Sequence, residues 1–227
     1  MSQRRVLEWQ VVYQRDGRCT KRLHGGDEVL FLKTAPDLRA ERDRLRWLGR
    51  HLPAPPVLGF RPGDPDLLLT RAGIGRDLTD DNHRRKPVLV VQLLAAALRR
   101  LHGIDPDTCP FGRQGPGLVV VHGDACLPNF LATGERITGY LDVGELRIDR
   151  AEVDLAAAVW SLQHNLGPGW GPPSSTPTAG PSPTRTPWSD SDSLTRVFDL
   201  IQVVAPRTEK GSQASDFPPE ASWYWSA

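Results

Sequence analysis

The stretch VVVHGDACLPNFLA (119–132) constrains the fold of this chain more than any other part of its sequence. A run of valines leads into His122, Gly123 and Asp124, and Asn129 follows five positions after Asp124. A short apolar run bounded by polar residues predicts a buried strand that ends in a loop. The plain alternative is a simple bend, because Gly and Asp are favoured in turns whatever the loop does.

The residues that follow predict a β-hairpin, in which the turn TGER joins the strands NFLA and ITGYLD. If the turn is centred on 134–135, Asn129 lies opposite Tyr140, and Asp142 is the next residue on the same face. The side chains of Asn129 and Asp142 would then be diagonal neighbours, about 7 Å apart or less at Cβ. An amide oxygen and a carboxylate at that spacing can bind one Mg²⁺ together with phosphates.

Asp124 would face the same place from the preceding loop. A loop Asp, an Asn five residues later and an Asp at a strand end form the arrangement of kinase-like phosphotransferases. In that arrangement the loop Asp orients the substrate hydroxyl and accepts its proton, while the other two residues hold Mg²⁺ on the phosphates of ATP. The hairpin register therefore favours a catalytic loop over a simple bend.

The first part of the chain carries three predicted strands, WQVVYQ (9–14), EVLFLK (28–33) and PDLLLT (65–70). A helix is predicted over 36–52, where leucines recur at helical spacing: Leu38, Leu45, Leu48 and Leu52. Glu41 falls on the same stripe, and a carboxylate on an apolar face requires a partner.

Lys33 ends the second of these strands and is a candidate partner for Glu41. In kinases such a pair holds the lysine ammonium against the α- and β-phosphates of ATP. TRAG (70–73) would then be the hinge between two lobes, where the backbones of Arg71 and Ala72 meet adenine. The alternative is a solvated lysine and a surface glutamate. The first lobe has no Gly-x-Gly-x-x-Gly, so its phosphate-covering loop is not of the protein-kinase type.

Two further helices are predicted, over 86–102 and 154–166, each followed by glycine. From 171 onwards Pro, Ser and Thr dominate, and we expect disorder there, with 194–205 as the one exception. The expected fold is α+β and protein-kinase-like, with a small β-rich N-terminal nucleotide-binding lobe (1–70). A truncated, mainly helical catalytic lobe (71–170) and a tail (171–227) follow.

Composition narrows the classes of partner. The formal net charge is +1, with Lys and Arg balanced by Asp and Glu, which gives no reason to expect nucleic acid or a membrane as partner. The three cysteines, Cys19, Cys109 and Cys126, show neither a disulfide pattern nor zinc-ligand spacing. We therefore expect a cytoplasmic protein with a small-molecule substrate; the oligomeric state is not predicted.

The segments VVHGDACLPNFL, GYLDVG, RRLHGIDPDTCPF and LFLKT resemble the aminoglycoside 3′-phosphotransferases, a family of kanamycin and neomycin kinases. The resemblance extends over residues 10–170. It implies ATP and Mg²⁺ as cofactors and the following roles: catalytic base, Asp124; Mg²⁺ ligands, Asn129 and Asp142; triphosphate binding, Lys33 with Glu41; support of the catalytic loop, Asp154. We expect His122 to be a structural hydrogen-bonding residue of the same loop.

The departures from this family lie on the substrate side. The family has a long helical insert where CPFGRQGPGLVVVHGD makes a short connection, and its loss should expose apolar core. Residues that are basic or acidic in the family pattern are replaced here by Glu145, Trp160, His164 and Asn165. The family's C-terminal helix, which helps to close the antibiotic site, is not recognisable after GPGW (167–170).

A frameshift in the gene is our hypothesis for the altered C-terminus. A reading frame set one base earlier permits Phe-Leu-Asp-Ala-Tyr-Gly-Trp-Pro over 174–181, which resembles the family's continuation after Gly-x-x-Trp.

From the motifs and the resemblance together, we expect ATP-dependent phosphoryl transfer to a hydroxyl of an aminoglycoside or a related amino sugar, with low or no activity on kanamycin and weak Mg·ATP binding. A kinase of another small hydroxylated metabolite and a non-catalytic nucleotide-binding remnant stay open as alternatives.

Overall fold

The computed structural model describes residues 8–25 and 28–167. The predictions for the tail, 171–227, and for the segment 194–205 lie outside the described residues. Within the described part, no helix is both long enough and apolar enough to cross a membrane.

The N-terminal lobe is built on a five-stranded antiparallel sheet with the order β1-β2-β3-β5-β4. Its strands are β1 (Glu8–Arg15), β2 (Arg18–Gly25), β3 (Glu28–Ala35), β4 (Val57–Arg61) and β5 (Asp66–Arg71). Strands β1, β3 and β5 coincide with the three predicted ones. The sequence argument did not delimit β2 or β4, because neither strand has the apolar alternation on which that argument relied.

Helix α1 (Arg39–Leu48) connects the two lobes. The leucines of its predicted stripe are all buried, at 8% exposure or less: Leu38, Leu45, Leu48 and Leu52. Its start is fixed by the buried carboxylate of Asp66, which accepts the Leu38 amide at 3.1 Å. On the other side, the Trp47 indole donates to the Thr108 carbonyl at 3.0 Å, so the helix is bonded to the second lobe as well.

The second lobe combines three helices with two small sheets. The helices are α2 (Asp81–Arg84), α3 (Pro87–His102) and α4 (Glu152–Leu166), of which α3 and α4 are the two that the sequence predicted. One sheet pairs β7 (Val119–Val121) with β10 (Arg147–Asp149), and the other orders β6 (Arg76–Asp77), β8 (Phe130–Thr133) and β9 (Arg136–Tyr140) as β6-β8-β9. The predicted strand of valines is thus β7, and it leads directly into the loop.

The predicted register of the hairpin is wrong by one residue. Phe130, not Asn129, lies opposite Tyr140, because a β-bulge between Leu131 and Ala132 takes Thr138 out of the ladder. The Thr138 hydroxyl instead donates to the Ile74 carbonyl. Asn129 ends a 3₁₀ turn just before β8, where its carbonyl accepts the Leu141 amide at 2.8 Å.

Two large apolar side chains are exposed on the helices of the second lobe. Val88 on α3 and Trp160 on α4 are 44% and 49% exposed, although both are large apolar residues. The short connection GRQGPG (112–117) joins the 3₁₀ turn of Pro106–Thr108 to β7 without a helix of its own.

Candidate active site

A cavity of about 940 Å³ lies between the N-terminal sheet and the polar loops of the second lobe. Alternate residues of β2 and β3 form one wall, and the hinge after β5 forms the edge. Six of the predicted site residues line it: Lys33, Glu41, Arg71, Ala72, Asn129 and Asp142. Residues 109 positions apart in sequence, Lys33 and Asp142, thus share one site.

Lys33 holds two carboxylates at once. Its Nζ is 2.7 Å from Glu41 Oε2 and 2.8 Å from Asp142 Oδ1. Burial acts to lower the pKa of Lys33, but the two carboxylates outweigh it and the pKa lies above its ordinary value. Burial raises the pKa of Glu41, and Lys33 offsets only part of this effect. The predicted Lys33–Glu41 pair is therefore present, and Asp142 extends it to a triad that the sequence argument did not foresee.

Asp142 is held in an unusual conformation. Its φ and ψ are 50° and 47°, the left-handed region that non-glycine residues seldom adopt. Burial acts to raise the pKa of its carboxyl, but the attraction of Lys33 outweighs it and the pKa lies below its ordinary value. The segment after it is tied to α1 by Arg44, whose Nε donates to the Leu146 carbonyl at 2.6 Å. The helix that carries Glu41 therefore also positions Asp142.

Asp124 is bonded to Asn129 in the loop after β7. The Asn129 amide nitrogen donates to the Asp124 carbonyl and to Asp124 Oδ2, both at 2.9 Å. The other carboxylate oxygen, Oδ1, is buried, and in the described part of the chain it accepts no hydrogen bond of ordinary geometry. Its neighbour is the Cys126 thiol, a weak donor. Burial first, and Asp124 second, raise the pKa of that thiol to about 12, so Cys126 is no nucleophile at neutral pH.

His122 is fully buried and connects the loop to the strand that ends at Asp142. Its Nε2 lies 2.9 Å from the Leu141 carbonyl, and its Nδ1 accepts the Asp124 amide at 3.3 Å. These two contacts fit the neutral imidazole with its proton on Nε2. Within the described part of the chain, the hydrogen bonds of the ring involve only backbone groups of the loop and of the neighbouring strand.

Asp154, at the start of α4, binds the back of the loop. Its carboxylate is 0% exposed and accepts the amides of His122 at 2.8 Å and Gly123 at 2.9 Å. The Nε2 atom of His102, at the end of α3, lies 2.9 Å from Asp154 Oδ2. Ser161 on α4 accepts the Leu127 amide at 2.9 Å. Helix α4 thus fixes the loop by hydrogen bonds to its backbone, and His102 of α3 contacts the Asp154 carboxylate that accepts two of them.

Gly123 is the position in this loop where an added side chain is least tolerated. Its φ is +85°, and an added Cβ would lie 2.5 Å from the Glu145 carbonyl oxygen. We expect Gly123→Ala to lower the free energy of unfolding by about 2–4 kcal/mol, because left-handed strain adds to overpacking.

Urea denaturation measures this loss, with Gly134→Ala as the control. Gly134 also has a positive φ, +59°, but an added Cβ there meets nothing within 4 Å. The control should lose only about 1 kcal/mol, the cost of the left-handed backbone alone. Equal losses in the two variants would show that the contact with Glu145 is unimportant.

The hinge amides are not free to bind a ligand as they stand. The Arg71 amide donates to the Pro56 carbonyl at 3.0 Å, and the Ala72 amide donates to the Val29 carbonyl at 2.9 Å. The Arg71 side chain pairs with Glu28 at 3.1 Å. Adenine would have to displace one of these carbonyls or use backbone oxygens, so the role of Arg71 and Ala72 stays a prediction.

Several residues of the site were not identified from the sequence. Phe31 lines the cavity two residues before Lys33 on the same face of β3, and it pairs with Thr70 of the hinge. Arg18 and Arg22 line the cavity from β2. The signal for Phe31 was its i, i+2 relation to Lys33, which places both side chains on one face of a strand. His102 had no comparable signal, because it reaches Asp154 only through the packing of α3 against α4.

Comparison with known proteins identifies the family and the fold of the chain. A family model described as "Phosphotransferase enzyme family" matches residues 21–118 and 114–174, so its two matched segments meet at the short connection before β7. The aminoglycoside 3′-phosphotransferase of Streptomyces ribosidificus is 29% identical, and the match covers 72% of this chain and 84% of that protein.

Two solved structures share the fold. The first is an aminoglycoside 3′-phosphotransferase of type VIII, with a TM-score of 0.68 and 24% identity, covering 87% of this chain and 86% of its own. The second is an aminoglycoside phosphotransferase from Streptomyces rimosus in complex with ADP and streptomycin. It has a TM-score of 0.57 and 24% identity, and the match covers 70% of this chain and 79% of its own. The expected kinase-like fold is confirmed by these neighbours.

Proposed function

The chain belongs to the phosphotransferase enzyme family, and on that basis we propose that it transfers the γ-phosphoryl group of ATP to a hydroxyl group of an aminoglycoside. The proposal is carried by one observation: Lys33, Glu41, Asn129 and Asp142 converge on one cavity, and Asn129 is bonded to Asp124. Such a constellation supplies a phosphate-binding cation and oxygen ligands for a metal in one cavity, with a carboxylate base hydrogen-bonded to a residue of its lining.

The nucleotide would lie along the wall formed by β2 and β3. Phe31 offers an aromatic face beside the hinge, where Thr70 is its partner across the strands. Lys33 follows on the same face and offers its ammonium group to the α- and β-phosphates. Glu41 keeps that ammonium in place through the 2.7 Å contact. With adenine at Phe31 and the phosphates at Lys33, the γ-phosphoryl group would point toward the Asp124 loop.

The donors of Asn129 and Asp142 suit Mg²⁺. Asn129 uses its amide nitrogen for Asp124, which leaves its oxygen to face a cation. Asp142 has a side chain that is 56% exposed and a pKa below its ordinary value, so its carboxylate is charged. One or two protein oxygens together with water and phosphates are the usual Mg²⁺ environment. Bound there, the ion would neutralise negative charge on the phosphates.

Asp124 would act on the acceptor. Its Oδ1 is buried without a hydrogen-bond partner among the described residues, and an acceptor hydroxyl that reaches it would supply the missing hydrogen bond. It takes the hydroxyl proton as the new oxygen–phosphorus bond forms and the bond between the γ-phosphorus and the bridging oxygen of ADP breaks. His122 and Asp154 hold the loop backbone during this step through the contacts described above. Nothing in their geometry requires either of them to touch the substrate.

The comparisons favour an aminoglycoside as acceptor over another small metabolite. The Streptomyces ribosidificus relative is an aminoglycoside 3′-phosphotransferase, and a structural neighbour is complexed with streptomycin as well as ADP. A polycationic acceptor requires surrounding carboxylates. Trp160 and His164 stand where the family pattern has charged residues, and their rings stack on each other at a separation of 5.0 Å. Because these two positions supply no carboxylate, we propose slow turnover.

The proposed function also assigns a role to each lobe of the chain and a cytoplasmic location to the protein. We assign 1–70 to the nucleotide-binding lobe and 71–170 to the catalytic lobe, while 171–227 stays a tail of unassigned role. A cytoplasmic location agrees with the use of ATP and with three free cysteines, Cys19, Cys109 and Cys126.

The experiment that tests the proposal follows labelled γ-phosphate at stoichiometric enzyme concentration. We expect label to appear slowly on kanamycin, neomycin or streptomycin, with little on a neutral polyol of similar size. Transfer to the polyol alone would support a kinase of another hydroxylated metabolite. Release of label only as inorganic phosphate, at a rate that aminoglycosides leave unchanged, would contradict the proposed acceptor.

A further inference from the structure

The wall of the cavity carries two arginines, Arg18 and Arg22, that form no ion pair with the residues that the structure describes. Five cations line the cavity: Arg18, Arg22, Lys33, Arg71 and Arg76. Three of them have carboxylate partners, which are Glu41 and Asp142 for Lys33, Glu28 for Arg71 and Asp80 for Arg76. For Arg18 and Arg22 no ion pair occurs within residues 8–25 and 28–167.

The sheet register places the two arginines at different ends of the site. Thr20 lies opposite Lys33 and Arg22 opposite Phe31, and alternate residues of β2 share a face. Arg22 therefore adjoins the aromatic end of the cavity. Arg18 lies one step beyond Thr20, past the ammonium of Lys33, at the end where Asp142 and Glu41 are found.

Charge effects agree with this placement. The positive charge of Arg18 lowers the pKa of the Asp142 carboxyl and of the Glu41 carboxyl, in each case by less than Lys33 does. Its guanidinium is thus near both carboxylates without an ion pair to either. A cation in that position faces the space that the phosphates of a nucleotide would enter.

The turn before Arg18 cannot cover phosphates with its own backbone. It consists of Asp16 and Gly17, both at positive φ, between the paired residues Arg15 and Arg18. A glycine-rich loop wraps phosphates with several backbone amides, whereas this turn is short and presents an acidic side chain at its tip. A side-chain cation is therefore needed to bind the phosphates in place of backbone amides.

We propose that Arg18 is a phosphate-binding residue that serves in place of a glycine-rich loop, contacting the β- or γ-phosphate of the bound nucleotide. This rests on the proposed function, because it requires a nucleotide in the cavity. Guanidinium groups bind phosphate oxygens through charge-assisted, often paired, hydrogen bonds. The contribution of Arg18 should therefore increase with the number of phosphates on the ligand.

The test compares binding of adenosine, ADP and ATP, the last two with Mg²⁺, by calorimetry for the wild type and for Arg18→Ala, Arg18→Lys and Lys21→Ala. We expect Arg18→Ala to weaken ATP binding roughly tenfold, ADP less, and adenosine not at all, with partial recovery in Arg18→Lys. Lys21 is the matched control, because it lies on the same strand but stacks on Trp9, 4.4 Å from the ring centre, on the opposite face.

The outcomes separate the two proposals. Wild-type binding of Mg·ATP with an unchanged affinity in Arg18→Ala would overturn the role of Arg18 and leave the proposed function intact. An equal loss for adenosine and ATP, or the same loss in Lys21→Ala, would also overturn it. If the wild type itself binds no Mg·ATP, the proposed function fails first, and the role of Arg18 fails with it.

Discussion

Asp154→Ala is expected to lower the free energy of unfolding by about 3–5 kcal/mol. The carboxylate is fully buried and accepts from the amides of His122 and Gly123 and lies within hydrogen-bond distance of His102. Its removal leaves these groups buried without a partner, and each such group costs free energy. Chemical denaturation followed by tryptophan fluorescence measures the loss.

Glu152→Ala is the matched control for that substitution. Glu152 lies in the same first turn of α4, but its side chain is 50% exposed and its contact with Arg150 is 3.3 Å. An exposed pair of this kind contributes about 0–1 kcal/mol. If the two variants lost the same stability, the loop would not depend on Asp154 in the way that the hydrogen bonds indicate.

Asp124→Asn is expected to reduce phosphoryl transfer by about 100-fold or more, with Mg·ATP affinity nearly unchanged. The amide keeps the shape of the side chain and can still accept a hydrogen bond, but it cannot take the proton of the acceptor hydroxyl. Because transfer by the wild type is expected to be slow, the comparison requires labelled ATP and single-turnover conditions.

The control for Asp124→Asn is the same change at Asp107, an exposed residue of the Pro106–Thr108 turn. Asp107→Asn should transfer phosphate at the wild-type rate. Wild-type transfer by Asp124→Asn would exclude this carboxylate as the base. A parallel loss of nucleotide affinity in that variant would show that Asp124 acts on binding rather than on the chemical step.

Much of the fold could be predicted because its main elements follow local rules. The leucine stripe of α1, Pro87 and Gly103 at the ends of α3, and Gly167 after α4 are signals that depend on neighbouring residues alone. The register of the hairpin failed where a tertiary contact intervened. Thr138 leaves the ladder to bond the Ile74 carbonyl, and no pattern within the hairpin shows that partner.

The site was predictable in its residue types and in the Lys33–Glu41 pair, but not in its other connections. The order of Asp124, Asn129 and Asp142 indicated the chemistry, and the stripe of α1 indicated a partner for Glu41. The contact of Lys33 with Asp142 depends on how α1 packs on the segment after β9, and the contact of His102 with Asp154 depends on two helices meeting. Contacts of that kind arise from packing between distant elements, which residue spacing does not report.

The central claim is that this cavity is a Mg·ATP site, and the most direct measurement is the thermal unfolding midpoint with and without Mg·ATP. A ligand that binds only the native state raises the midpoint, by roughly 5–10 °C when it is present at about 100 times its dissociation constant. We predict such a rise for the wild type, a smaller one with ATP and EDTA, and none for Lys33→Met. An unchanged midpoint at millimolar Mg·ATP, in a protein that melts cooperatively, would contradict the account.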